Sequence, residues 1–193
     1  MSGRRGRSGA APAGGDVIFA FLRAVNVGGA NKVPMAALVE LLAERGFPPT
    51  AYLLASGNLA VQAPPDAAPS LRTALVEAVA AGFGVRTDAV FRTPAQLAAL
   101  LRDDPFTPAG WQVVHVSLWD DEPDQEGLEA LAAGDYSPDA VHVVAGAAYM
   151  AYADSSHASK LSNALVERRL GVPATARNVN TFRRLLARFA PGD

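Results

Sequence analysis

Phe21-Leu-Arg-Ala-Val-Asn-Val-Gly-Gly-Ala-Asn-Lys-Val-Pro-Met35 is the stretch on which the reading of the whole chain turns. An apolar run beginning near Val17 predicts a buried strand that ends at Arg23. Asn26, Gly28, Gly29, Asn31 and Lys32 then make a polar, glycine-rich loop, and Pro34 opens an amphipathic helix. That helix runs from Pro34 to Arg45, with Leu38, Leu41 and Leu42 at helical spacing and Gly46 as its stop. A strand, a Gly-Gly loop and a helix start in that order build an anion-binding corner. Glycine lets the backbone approach a ligand, and unpaired N–H groups at a helix start favour negative charge. The loop lacks the Gly-Lys-Ser/Thr ending of a P-loop. It also lacks the third glycine of a dinucleotide fingerprint.

Further along, Tyr52 to Gln62 reads as a hairpin turning at Ser56-Gly57-Asn58. The proline-rich segment Ala63 to Pro69 is a loop, and Ser70 is the expected cap of a helix running to about Ala81. Val85 to Phe91 is another strand. The order β-α-β-β-α-β is that of a ferredoxin-like unit. In such a unit the first and second strands run parallel with the third between them. The loop after strand one therefore lies at the same sheet end as the turn between strands two and three. That geometry brings Arg23, Asn26 and Lys32 towards Ser56, Gly57 and Asn58.

Thr93 and Pro94 start a connecting helix to about Leu101, and Asp103 to Pro108 breaks the chain. A second unit follows. Trp111 to Trp119 alternates as a strand, and the acidic stretch Asp120 to Gln125 leads into a helix ending near Ala133. Ala140 to Tyr152 is a hairpin turning near Ala145-Gly146, and Ser159 to Leu170 is a helix stopped by Gly171 and Pro173. Asn180 is the expected cap of a final helix, Thr181 to Phe189. The expected fold is α+β: two ferredoxin-like (βαββα) αβ-sandwich subdomains related by duplication, plus a C-terminal helix. Residues 1–15 are expected to be a disordered tail, 16–92 and 111–193 the two subdomains, and 93–110 their connection.

Composition narrows the function. The chain has no cysteine, which excludes disulfides, zinc–thiolate sites, iron–sulfur clusters and thiol nucleophiles. No apolar run approaches the roughly 20 residues that span a bilayer. With a first segment of Gly, Ala, Ser and Arg and no cleavage site, a cytoplasmic location is expected and no membrane partner. Net charge is −2, unevenly placed. Asp103 to Asp154 holds eleven acidic residues and no Lys or Arg, whereas Lys160 to Arg188 holds seven basic residues against Glu167 alone. A uniformly basic nucleic-acid coat is excluded, and a basic C-terminal patch is retained as an alternative RNA or DNA surface.

A second polar group lies late in the chain. Lys160 is expected in the first turn of its helix, the wrong end for a cation given the helix dipole. Arg177, Asn178 and Asn180 are expected on a loop leading into the last helix. Together with Arg23, Asn26, Lys32, Ser56 and Asn58 they are the candidate ligand-binding residues for a small anion, with arginines and lysines supplying charge and asparagines orientation. Each has an ordinary use as well: solvated lysine, paired arginine, turn-capping asparagine. His115 and His142 fall in strands and read as structural. His157 follows Asp154, Ser155 and Ser156, but capping explains that cluster better than a triad does. An enzyme acting on an activated phosphate or acyl compound through Lys160 or His157 is the third reading. No cofactor and no metal-ligand spacing is indicated, and the oligomeric state is not encoded in these patterns.

Two motifs resemble a known family. Leu22 to Met35 with Ser56-Gly57-Asn58 resembles the start of the bacterial domain-of-unknown-function 1697 family. Asp104-Pro105-Phe106 is similar to its middle, and Ser159 to Thr181 to its ending. The resemblance implies a fold of two related αβ subdomains and assigns no activity. Two positions depart from it: Ala24 where a glycine is usual, and Val179 where a tryptophan is usual.

Overall fold

The computed structural model describes residues 16–47 and 50–190; the tail expected at 1–15 lies outside them. β1 (Val17–Leu22) leads through the Gly-Gly loop to α1 (Met35–Glu44). β2 (Thr50–Leu53) and β3 (Asn58–Gln62) form the hairpin, and a 3-10 turn runs into α2 (Ala68–Phe83), followed by β4 (Ala89–Arg92). Then come α3 (Pro94–Arg102), β5 (Val113–Leu118), α4 (Gln125–Ala132), β6 (Ala140–Val144) and β7 (Ala147–Tyr152). α5 (Asn163–Leu170), β8 (Thr175–Asn178) and α6 (Val179–Phe189) complete the series. Among the described residues the result is a mixed α+β fold with six α-helices and two four-stranded antiparallel sheets. Strand order is β2-β3-β1-β4 in one sheet and β6-β7-β5-β8 in the other. The described residues divide into two compact units, 16–94 with 187–190, and 95–186.

In the first unit β1 is central, paired antiparallel to β3 and to β4, and all six of its residues are buried. Strand alternation puts Ile18, Ala20 and Leu22 on one face. There they share a core with Leu38 and Leu42 of α1, Leu71, Leu75 and Val79 of α2, and Leu59 and Val61 of β3. Full burial of one such leucine or valine stabilises the fold by about 1.5–3 kcal/mol, so this face drives the unit. α2 stops at Gly84, whose φ of 66° is the left-handed conformation that closes helices.

The second unit repeats the logic. Ala148, Met150 and Tyr152 of β7 pack with Leu131 of α4 and Leu165, Val166 and Leu170 of α5. Gly127 sits where α4 meets the end of α5: a Cβ there would lie 1.7 Å from the Arg169 carbonyl oxygen. Only glycine permits that approach.

Four expectations need correction. The second unit is βαββαβ, not βαββα: Thr175–Asn178 forms β8, paired with β5, so Arg177 and Asn178 are strand residues and not loop residues. α5 begins at Asn163 with Ser162 as its cap, accepting from the Leu165 N–H at 3.3 Å, so Lys160 precedes the helix and is not in its first turn. Ser70 lies inside α2 and its hydroxyl donates back to the Ala67 carbonyl. Finally, α6 begins at Val179, and it is Asn178 whose side chain accepts from the Asn180 N–H at 2.9 Å. In the asparagine case a neighbouring residue of the same capping chemistry took the role, whereas α2 starts after Ala67 with no side-chain cap.

Candidate functional site

The opening loop and the β2–β3 turn do meet at one end of the first sheet. The Leu22 N–H donates to the Gly57 carbonyl at 2.8 Å. Gly57 has φ +77°, and a Cβ on it would lie 2.7 Å from both the Leu22 Cβ and the Val25 Cγ2. The turn is therefore pressed against the strand end, with no room for a side chain.

Asn26 locks the loop onto that turn. Its Nδ2 donates to the Val33 carbonyl at 2.9 Å and to the Ala55 carbonyl at 2.6 Å, while its Oδ1 accepts from the Val33 N–H at 2.8 Å. One amide thus imitates a strand neighbour for Val33 and reaches across 29 residues to the turn. Within the loop, the Asn26 N–H donates to the Asn31 carbonyl, and the Asn31 Nδ2 donates to the Ala24 carbonyl. Asn58 is 0% exposed, and its Nδ2 donates to the Leu53 carbonyl and the Ser56 hydroxyl. Both asparagine amides serve the scaffold. Arg23 is half-buried at the strand end: its N–H donates to the Asp88 carbonyl and its carbonyl accepts from the Thr87 hydroxyl.

Backbone strain gathers here as well. Among the described residues, four non-glycine residues have positive φ: Ala24 (52°), Asn26 (55°), Asn31 (50°) and Leu54 (63°). All four belong to this corner. Asparagine tolerates that conformation, whereas alanine and leucine are held there at a cost of about 1–2 kcal/mol each.

Between the loop, the turn and the start of α1 lies an open cleft of about 550 Å³. Asn26 and Lys32 line it with Val33, Met35, Tyr52 and Leu54. Lys32 is exposed and makes no hydrogen bond or ion pair to the described residues. Pro34, at the start of α1, has no side chain to cap the first-turn N–H groups. Of the large hydrophobic side chains exposed among the described residues, Val27 at 66% lies on the opening loop and Leu54 at 45% lines the cleft. Sequence reasoning found Asn26 and Lys32 but not Tyr52 or Leu54, because an apolar residue in a hairpin is ordinarily core. The available signal was Leu53-Leu54: strand alternation lets only one of two adjacent leucines face inward.

The second group of candidate residues sits in the other unit, and most of it has internal work. Arg177 lies on β8 opposite Val116, donating to the Thr175 hydroxyl at 2.7 Å and the Ala176 carbonyl at 2.8 Å. Burial lowers its guanidinium to about 10, which leaves it charged at neutral pH. Asn180 accepts from Arg183 at 2.7 Å. Lys160 is exposed, and its charge contributes to lowering Asp135, after the larger effect of hydrogen bonds from Ser137. His157 is exposed, and His115 is lowered by burial and then by electrostatic repulsion from His157. Tyr149 and Tyr152 are both buried, with Tyr149 donating to the Leu100 carbonyl at 2.8 Å. Neither offers a stacking platform for bases. Among the described residues no helix is long and apolar enough to cross a membrane.

Residues 16–149 match the family described as "Protein of unknown function (DUF1697)". The chain belongs to the DUF1697 family. The corner described above falls wholly within the matched residues, and the late stretch Ser159 to Thr181 lies beyond them. No curated protein matches this DUF1697 chain. Among solved structures it is similar to "The structure of conserved bacterial protein SP0830 from Streptococcus pneumoniae", with a TM-score of 0.68 and 18% identity over 89% of this chain and 97% of that one. At that identity the likeness is one of fold. Ala24, where the family resemblance leads one to expect glycine, adopts the φ of 52° that glycine takes without strain.

Proposed function

We propose that the corner formed by the opening loop, the β2–β3 turn and the start of α1 binds a small anionic ligand. The observation that carries this reading is the cleft itself: a cavity of about 550 Å³ with an exposed lysine that has no partner among the described residues. That volume lies in the usual range for small-molecule sites, about 300–1,000 Å³. Lys32 supplies the charge, and the uncapped start of α1 favours an anion nearby. Asn26 and Asn58 take the role of scaffold that holds the loop and turn in their strained shape, in keeping with the clustering of strain at functional sites. The reading rests on the first unit alone; Lys160, Arg177, Asn178 and Asn180 belong to the second.

We also propose that the two units are ferredoxin-like and arose by duplication. The same βαββαβ order and the same arrangement of strands in the two sheets support it.

A thermal-shift screen with phosphorylated metabolites, nucleoside monophosphates and small carboxylates tests the function, comparing wild type with Lys32→Ala. A ligand at one hundred times its Kd adds about 2.7 kcal/mol to native stability. For a chain of this size that raises the midpoint by roughly 5–10 °C. Lys32→Ala is expected to abolish the shift. A screen in which no anion stabilises the wild type removes the proposal.

A further inference from the structure

We infer that the cleft selects an amphiphilic anion: a single oxyanion group carried on an aromatic or other flat apolar body, and neither a bare phosphate nor a polyphosphate. The inference rests on the proposed function and narrows the class of ligand. Three features of the lining lead to it.

First, the charge is single. Lys32 is the one cation among the described residues lining the cleft. A polyphosphate needs several positive groups to offset its charge. The polar side chain beside Lys32 is Asn26, whose Nδ2 is committed to two carbonyls and whose Oδ1 already holds the Val33 N–H. One ammonium suits one oxyanion.

Second, the remaining wall is apolar. Val33, Pro34, Met35, Tyr52 and Leu54 form it. Such surface gives a hydrated inorganic ion nothing, whereas it rewards a ligand that brings apolar area out of water. A bare phosphate or formate would leave most of a 550 Å³ cleft to solvent.

Third, Leu54 is placed at a cost. It holds φ +63° in a turn where asparagine or glycine would be relaxed, and its side chain is 45% exposed at the cleft. No contribution to the core explains keeping leucine there. A role against the apolar body of a ligand does.

The test is a set of direct titrations by calorimetry on the full chain with four anions, phenyl phosphate, inorganic phosphate, benzoate and formate, and with neutral phenol as a fifth probe. At least one aryl anion is expected to bind ten times more tightly than its bare counterpart, and the better of the two names the headgroup. Leu54→Asn suits the left-handed backbone and removes the apolar wall without disturbing the core. It is expected to weaken that aryl anion at least threefold while leaving the bare ion unchanged. Lys32→Ala weakens both members of the pair. If each aryl anion binds no better than its bare ion, the inference is overturned while the anion site stands. If phenol binds as tightly as phenyl phosphate, the cleft is apolar only and the inference is overturned. If none of the four anions binds, the inference and the proposed function fall together.

Discussion

Replacing Asn26 by alanine removes three hydrogen bonds at once and leaves alanine in a left-handed conformation. The Val33 N–H and the Val33 and Ala55 carbonyls lose their partner, while the loop's own bonds cannot replace it. Each bond is worth a net 0.5–1.5 kcal/mol or so, and the left-handed alanine adds about 1 kcal/mol. Partial access of water to the exposed side of the Ala55 carbonyl keeps the sum in the lower part of that range, at about 3 kcal/mol. In a chain of this length that lowers the melting midpoint by roughly 6–12 °C. Asn26→Asp sharpens the test. It keeps an acceptor for the Val33 N–H but turns a carboxylate oxygen towards two carbonyl oxygens, so at neutral pH it is expected to destabilise at least as much as alanine, despite its identical shape. Urea denaturation followed by far-UV circular dichroism measures both. The two tryptophans, Trp111 and Trp119, lie in the second unit, so their fluorescence reports that unit separately. A loss below about 1 kcal/mol for Asn26→Ala, or an aspartate variant as stable as wild type, would refute the account of this amide as the clamp.

Other outcomes follow from the same geometry. Ala24→Gly relieves a φ of 52° and is expected to stabilise by about 0.5–1 kcal/mol after glycine's entropic cost, read as a rise in the urea midpoint. Gly127→Ala forces a Cβ against the Arg169 carbonyl and should cost at least about 3 kcal/mol, whereas Gly28→Ala, with nothing within 4 Å, should cost only its backbone strain, about 1 kcal/mol. His115 is lowered below its ordinary 6.5 by burial and then by the charge of His157. The unfolded chain therefore binds the proton first, so stability is full above about pH 6.5 and declines as pH falls below it. His115→Gln is expected to flatten that part of the stability-versus-pH curve. Tyr149 and Tyr152 are both pushed up to about 12, chiefly by burial, so their tyrosinate absorbance at 295 nm should appear only near pH 12 or on unfolding.

Strong periodicity made most of the fold legible. The apolar run from Val17, the leucines of α1 and the alternation through Val114, Val116 and Leu118 leave little choice of element, and burial then enforces them. Topology did the rest, because a split β-α-β unit can place the opening loop only beside the hairpin turn. What escaped was short or chemically degenerate. β8 is four residues, Thr-Ala-Arg-Asn, with no apolar alternation, and it forms because β5 has an edge to offer. Ser159 and Ser162 are equally good caps on paper. Packing of Leu165, Val166 and Leu170 against the core decides for Ser162. Asparagine is the hardest case. The amide that would orient a ligand is the same amide that ties a loop, and only the folded chain shows that Asn26 and Asn58 do the second. The cleft's apolar wall was invisible for a related reason, since Tyr52 and Leu54 look like core until the turn exposes them.

The most direct measurement is a two-dimensional amide NMR titration of the full chain with phenyl phosphate and, separately, with benzoate. For at least one of the two, concentration-dependent shifts are predicted in residues 26–35 and 52–55, saturating in wild type and absent in Lys32→Ala. Saturating shifts centred on the second unit with these segments unmoved, or no shifts with either anion, would contradict the site.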